Sequence, residues 1–364
     1  MLEFARRLIA TPSLPGEEEA VSRLVADELR LLGYEDVERD EAGNVTARFG
    51  AGPAGLMFNG HLDHVPPGGM EAPFEPRLVD GDLRGRGSCD MKANIAAGAY
   101  AAAFLDGAAL GRGSYLFTAD VQEETDSPAG IQALLARGLR ADFGVSGEST
   151  GLNVHVGHRG KVQLDIVVGG RSSHAATPQA GLNAVYRAVP FVQAVEQLAE
   201  RLPSDPLFGP ATVTVTRISS DPREEVAVVP GSCTIRVDRR YLPSETPDSC
   251  EEELAALVAD VSARHDVPAQ VRRVGVYPLM ATDPDHELVG IGLEAVRAVT
   301  GSAPRVGTWR FGVNAAFMSE AGIPTIGIGP GSEDFAHTDE ERVPVDELVR
   351  SSRIYAELIR RLCG

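Results

Sequence analysis

The segment Asn59-Gly60-His61-Leu62-Asp63-His64 sets an imidazole and a carboxylate two residues apart, directly after the apolar run Leu56-Met57-Phe58. Two residues apart in extended chain, the two side chains can lie on one side of the backbone. An imidazole that binds a metal through one nitrogen commonly has the other held by a carboxylate, and Asp63 is placed to do this. A polar surface turn could carry the same residues, so the hexapeptide alone leaves both readings open. Asp90 sits in Gly85-Arg86-Gly87-Ser88-Cys89-Asp90-Met91-Lys92, a glycine-rich turn ahead of an Ala-rich segment. Such turns also bind phosphate, but the GxxxxGK[ST] spacing is missing, and a carboxylate here repels phosphate unless a metal intervenes. Glu123 and Glu124 follow the strand-like stretch ending at Ala119-Asp120, and adjacent acids repel unless solvent or a cation separates them. Glu148, in Ser146-Gly147-Glu148-Ser149-Thr150, and His337, beyond Thr325 to Gly329, also follow apolar strands. All these groups fall where α/β domains place ligand sites.

Imidazole and carboxylate without thiolate suit zinc, cobalt or manganese, and one carboxylate can bridge two ions about 3.5–4 Å apart. Two ions gripping one water lower its pKa toward about 7 and polarise the carbonyl under attack. A nearby carboxylate that binds no metal can pass the water's proton to the leaving nitrogen. The chemistry indicated is metal-assisted amide hydrolysis. Cys89, beside Asp90, has no basic partner in the adjacent sequence and reads as packing rather than as a nucleophile.

The elements that must hold these residues have two characters. Val21, Leu24, Val25 and Leu29 lie on one helical face behind Glu17, Glu18 and Glu19. Short apolar runs at Leu56-Met57-Phe58, Tyr115-Leu116-Phe117, Phe143-Gly144-Val145 and Thr325-Ile326-Gly327-Ile328 alternate with helical segments such as Ala93 to Leu105 and Ile131 to Leu135. This is the pattern of an α/β domain with a mostly parallel sheet. Val162, Leu164, Ile166 and Val168 instead alternate with polar or small residues, as do Val213 and Val215, then Ile235 and Val237. With helices from about Leu182 to Leu202 and Glu251 to Ala263 and a last strand near Val271 to Val276, the order is β-α-β-β-α-β, a ferredoxin-like α+β module. It spans 158–276 and is inserted into an α/β domain formed by 1–157 and 277–364. Pro190 should kink its first helix or delay its start.

Two domains suit 364 residues, with 43% hydrophobic and 24% charged content. A net charge of −18, with only Lys92 and Lys161 as lysines, argues against nucleic acid and anionic lipid as partners. The start Met1-Leu2-Glu3-Phe4-Ala5-Arg6-Arg7 lacks a leader pattern, and no stretch approaches the roughly 18 uncharged residues of a membrane span. Cys89, Cys233, Cys250 and Cys363 are scattered without CxxC spacing, which fits a reducing, cytoplasmic setting.

In order along the chain, Gly60-His61-Leu62-Asp63-His64-Val65-Pro66, Gly85 to Lys92, Glu123-Glu124, Gly147-Glu148-Ser149-Thr150, Gly181-Leu182-Asn183-Ala184 and Ala336-His337-Thr338 resemble the M20 metallopeptidase family. That family includes aminoacylases, acetylornithine deacetylase, succinyl-diaminopimelate desuccinylase and a glutamate carboxypeptidase. The resemblance implies that Asp90 bridges two divalent ions, most naturally zinc, with cobalt or manganese as alternatives. It assigns His61 and Glu148 to one ion, Glu124 and His337 to the other, Glu123 as general base, and Asp63 as partner of His61. It implies that the inserted module is a lid and homodimerisation domain. His174, in Ser172-Ser173-His174-Ala175, matches the histidine that reaches a partner's active site to stabilise the oxyanion, and Arg240 matches the arginine that grips a substrate carboxylate. By alternation Arg236 shares the face of Arg240, so either could serve; the resemblance points to Arg240. The implied activity is hydrolysis of an N-acyl amino acid or small peptide with a free carboxylate. A dipeptidase or aminopeptidase would want an acid where Arg240 sits, and a non-catalytic metal-binding relative would have no need of Glu123. Two places depart from the pattern. Ala227 stands where many members carry asparagine. The stretch Gly307-Thr308-Trp309-Arg310-Phe311-Gly312-Val313-Asn314 replaces the Gly-Thr-Ser/Thr-Asp segment and resembles a poorly characterised M20 branch that includes proposed selenium-metabolism hydrolases.

Overall fold

The computed structural model describes residues 1–105, 110–125, 128–223 and 226–364. The chain divides into two compact units: the first comprises Met1–Gly157, Met280–Trp309 and Val313–Gly364, the second His158–Leu279 and Arg310–Gly312. Among the described residues no helix is long and apolar enough to cross a membrane.

The first unit is built on one sheet. Its main strands are β1 (Glu35–Arg39), β2 (Val45–Phe49), β3 (Ala54–His61), β4 (Ser114–Asp120), β5 (Phe143–Ser146), β6 (Val154–His158) and β7 (Thr325–Gly327). They lie in the order β1-β2-β4-β3-β5-β7-β6. The central four, β4, β3, β5 and β7, run parallel, while β2 and β6 flank them antiparallel and β1 pairs antiparallel with β2 at the edge. Central parallel strands are covered on both faces, which is why β3 reads as an apolar run and is buried from Gly55 to His61. Phe58 stacks on Phe117 at 5.4 Å and meets Tyr355 edge-on at 5.2 Å. The Ala-rich segment after Asp90 forms a buried helix, Ala93–Ala99, and then a tighter 3₁₀ turn, Ala101–Phe104. Because the four central strands share a direction, their C-terminal ends open at one edge of the sheet.

In the second unit, strands Thr212–Asp221, Ser232–Tyr241, Gly160–Gly169 and Ala269–Tyr277 form an antiparallel sheet in that spatial order. With helices Ala184–Ala199 and Pro247–His265, this is the β-α-β-β-α-β connectivity with ferredoxin-like strand order. The alternation in sequence becomes burial: Val162, Leu164, Ile166 and Val168 pack with Phe191, Val195 and Leu198, each such side chain contributing about 1.5–3 kcal/mol. The Asn183 side chain caps the first helix by accepting from the Val185 and Tyr186 N–H groups at 2.9 and 3.4 Å. Pro190 does not delay the start of that helix, contrary to one reading of the sequence; Ala184–Ala199 begins upstream and runs through it. The carbonyl deprived of its helical donor belongs to Tyr186, a residue that is 76% exposed.

Candidate metal centre

Each central strand delivers part of one cluster. His61 is the last residue of β3, Glu123 and Glu124 follow β4, Glu148 follows β5, and His337 lies on the loop after β7. His61 Nε2 is 2.9 Å from Asp90 Oδ1 and 3.5 Å from Glu148 Oε1. His337 Nε2 is 2.9 Å from Glu124 Oε1 and 3.1 Å from Asp90 Oδ2. The two oxygens of Asp90 thus face different histidines. One ligand atom each from His61, Asp90 and Glu124 lies within 4.8 Å of the others.

Asp63 sits behind this cluster, fully buried. Its Oδ1 lies 3.5 Å from His61 Nδ1, and its two oxygens accept the backbone N–H groups of Glu123 and Glu124 at 3.1 and 2.9 Å. His61 Nδ1 donates to the Asp63 backbone carbonyl at 3.1 Å, so Asp63 orients the imidazole chiefly through its backbone while its carboxylate holds the acidic pair. Gly147 and Gly329 let the loops close: a Cβ on Gly147 would come 2.7 Å from the Phe58 ring, and one on Gly329 2.2 Å from the Gly147 carbonyl.

Burial works against the charge on His61, but Asp63, Asp90 and Glu148 outweigh it and hold the imidazole well above its ordinary range. Hydrogen bonds to Asp90 and Glu124 push His337 up to about 10. Burial pushes Glu148 up to about 7, aided by the Asp90 charge. Burial also raises Glu123 well above the carboxylate range, with Glu148, Glu124 and Asp90 adding repulsion against the attraction of His61. Asp90 and Asp63 are held low: against burial, contacts with the two histidines favour the Asp90 anion, and His61 with the Glu123 and Glu124 N–H groups favours that of Asp63. Five acids, Asp63, Asp90, Glu123, Glu124 and Glu148, thus share the site with two imidazoles, which must carry protons when no cation is bound. Nitrogen and oxygen donors with an excess of buried negative charge fit divalent ions of the zinc, cobalt or manganese kind. The Cys89 thiol turns to Ser149 Oγ at 3.0 Å and burial raises its pKa, so it offers no thiolate.

A consequence concerns protons. Both imidazoles are held above the ordinary value of 6.5, so near pH 7 they are protonated in the metal-free protein and must lose those protons to ligate. Metal loading should therefore release protons from both imidazoles and, near pH 7, in part from Glu148, and affinity should rise with pH from near neutrality to about 10. Calorimetric titration of metal-free protein in buffers of different ionisation enthalpy measures the release; none at pH 7 would rule out ligation by both imidazoles.

The sequence reading missed several residues that shape this centre. Asn59 and Asn314 donate to the buried Asp120 at 2.6 and 2.8 Å. The Trp309 indole N–H donates to the Ser149 carbonyl at 3.1 Å, one residue past Glu148. Asn59 and Asp120 are polar residues inside apolar strands, a signal that each needs a buried partner. The divergent stretch 309–314 is thereby anchored at both ends, beside Glu148 and on the strand that leads to Glu123.

The other two site candidates belong to the second unit. His174 lies in the short strand Ser173–His174, paired with Val228–Val229, and is exposed; its Nδ1 accepts from the Ala176 N–H at 3.0 Å. Arg236 makes two bonds to the buried Asp165, which also takes Arg272. Arg240 likewise makes two bonds, to Asp238 at 2.7 and 3.4 Å, but this pair is more exposed than Arg236 and Asp165. Arg239 points the opposite way, buried and paired with Glu245 and Glu253.

Imidazoles and carboxylates gathered at the C-terminal ends of parallel strands define a metal-dependent hydrolase of the α/β type. The family model for Peptidase family M20/M25/M40 matches residues 57–361, and the chain belongs to this family of metal-dependent hydrolases that act on C–N amide bonds. Among its relatives, the uncharacterized protein YgeY of Escherichia coli (strain K12) is 31% identical over 376 residues, covering 98% of this chain and 93% of that protein. A succinyl-diaminopimelate desuccinylase of Phenylobacterium zucineum is 33% identical, covering 99% of this chain and 97% of that protein. Two solved structures share the fold. Aminopeptidase PepT from Bacillus cereus has a TM-score of 0.81 at 21% identity, covering 100% of this chain and 98% of that one. The Bacillus subtilis YXEP protein, described as a dinuclear metal binding peptidase from the M20 family, has a TM-score of 0.78 at 17% identity, covering 100% and 97%.

Proposed function

We propose that this chain is a dinuclear metal-dependent amidohydrolase that cleaves the amide bond of an N-acyl amino acid or small peptide carrying a free carboxylate. The observation that supports this best is Asp90, whose oxygens lie 2.9 and 3.1 Å from two different imidazoles. On this reading Asp90 would be shared by two ions, with His61 and Glu148 holding one and Glu124 and His337 the other. Zinc suits the donors best, with cobalt and manganese as substitutes. When bound, the ions supply a polarised carbonyl and a water of lowered pKa. The chain's own groups do the rest. Glu123 takes the proton of the attacking water and delivers it to the leaving nitrogen. Asp63 keeps His61 oriented. Arg240 grips the substrate carboxylate, a role that the commitment of Arg236 to Asp165 favours.

The second unit acts as a lid and as the contact between two copies, with His174 donating to the carbonyl oxygen in the partner's site. Exposed Leu182, Tyr186 and Val189 on and beside one helix support such an association.

A panel of N-acetyl, N-succinyl and N-carbamoyl amino acids alongside dipeptides, assayed with zinc, cobalt and manganese, tests this reading. Cleavage of acylated substrates that fails when their carboxylate is blocked as an amide is the expected result. Arg240→Met should raise KM about 10–100-fold for the preferred substrate, the worth of a charge-assisted hydrogen bond. Equal turnover of blocked substrates would remove the carboxylate requirement, and a clear preference for dipeptides with a free amine would make the enzyme a dipeptidase or aminopeptidase.

A further inference from the structure

The turn that carries Asp90 has no regular structure to hold it. Gly87 is left-handed (φ 79°), and Asp90 and Met91 are non-helical at φ −127° and −137°, immediately before the helix Ala93–Ala99. The whole segment from Arg86 to Lys92 is nonetheless buried. Its backbone donors therefore need acceptors from elsewhere in the protein, because water is excluded.

The Arg86, Ser88 and Lys92 N–H groups find backbone carbonyls, and one side chain supplies Gly87, Cys89 and Asp90. Glu341 is 1% exposed. Its Oε1 accepts the N–H groups of Cys89 and Asp90 at 2.9 and 3.1 Å. Its Oε2 accepts the Gly87 N–H at 3.0 Å and Arg86 Nη1 at 2.6 Å. Four donors from residues 86–90 thus converge on one carboxylate. Glu341 is itself fixed from behind, since the adjoining strand Arg342–Pro344 pairs with Asp82–Arg84, just ahead of the turn. It also follows His337 by four residues on the same loop. Where Glu341 sits therefore decides where the loop bearing His337 meets the turn bearing Asp90.

We propose that Glu341 is a positioning residue for the metal centre: by clamping the Asp90 turn and tethering the His337 loop to it, it aims both Asp90 oxygens at their separate ion sites. This rests on the dinuclear reading above. Loss of the clamp should weaken both ion-binding steps together, whereas loss of His337 should weaken one. A glutamine keeps the shape of Glu341 but turns an NH₂ group toward two N–H donors, so Glu341→Gln should fail although it fills the same space.

The test is titration of Co²⁺ into metal-free wild type, Glu341→Gln and Glu341→Asp, followed by calorimetry and by visible absorption, with kcat, KM and thermal midpoint measured beside it. Wild type should bind two Co²⁺. In Glu341→Gln both steps should weaken about 10–100-fold, the usual cost of removing a group that orients a ligand. The absorption should change, and kcat should fall with KM little altered. Glu341→Asp, which keeps the charge on a shorter stem, should lie between the two, and it decides the matter if Glu341→Gln does not fold. A Glu341→Gln protein that binds Co²⁺ with wild-type affinity and spectrum, even at a lowered thermal midpoint, overturns the proposal. Wild type binding a single ion would instead defeat the dinuclear reading, and the effect of Glu341→Gln on that ion would still decide whether the clamp matters.

Discussion

Glu123→Gln is expected to keep its full complement of metal and lose turnover by about 10²–10⁴-fold, the usual contribution of a positioned general base. The side chain is not needed to hold the loop: what Asp63 binds there is the Glu123 backbone N–H, at 3.1 Å. Glutamine preserves volume, and Glu123 is not one of the proposed ligands, so metal retention should not suffer. The drop should appear in kcat, with KM close to wild type, because the proton is needed only as the bond breaks. Metal content by elemental analysis and steady-state kinetics on one preparation give the answer; normal kcat would remove Glu123 as base. The same variant probes the association of two copies. Mixed with His174→Ala subunits, it should regain some activity if His174 serves the partner's site, and none if each copy is self-sufficient.

Asp90→Asn should be nearly as damaging, for a different reason. Its amide offers one oxygen, so it can face His61 or His337 as an acceptor but not both. The variant should therefore hold at most one ion, and hydrolysis should fall about 10³-fold or more, the several kcal/mol that a second ion contributes. Dialysis of wild type against chelator should abolish activity in parallel, and zinc, cobalt or manganese should restore it; in Asp90→Asn none should restore it fully. Two tightly bound ions in Asp90→Asn would show that Asp90 is no bridge. Chelator-resistant hydrolysis would remove the metal mechanism altogether.

Much of this candidate centre could be read in the sequence because apolar runs mark the parallel strands and the proposed ligands stand directly beyond them. His61 follows Phe58 by three residues and Glu148 follows Val145 by three. The alternation from Val162 to Val168 likewise announces a half-buried strand. Alternation could not separate Arg236 from Arg240, since both point to the same face; they differ in that Arg236 pairs with the buried Asp165 across the sheet and Arg240 with the more exposed Asp238. Glu341 was not legible at all. It acts on the backbone N–H groups of a turn 251 residues away, and backbone donors are alike in every sequence. The stretch 309–314 could be seen to diverge, but its contacts, Trp309 to the Ser149 carbonyl and Asn314 to Asp120, depend on distant strands becoming neighbours. Pro190 shows the opposite limit: a local rule gave way because the affected carbonyl belongs to an exposed residue.

The close approach at Gly147 and Gly329 bears on how such an enzyme diversifies. No side chain larger than hydrogen fits at either position without displacing the Phe58 ring or the backbone beside Glu148. The floor beneath the ligands is therefore shut to stepwise variation, and most single substitutions there would be purged before they could alter a preference. New specificities must be recruited from surfaces that tolerate mutation, while the floor is inherited unchanged.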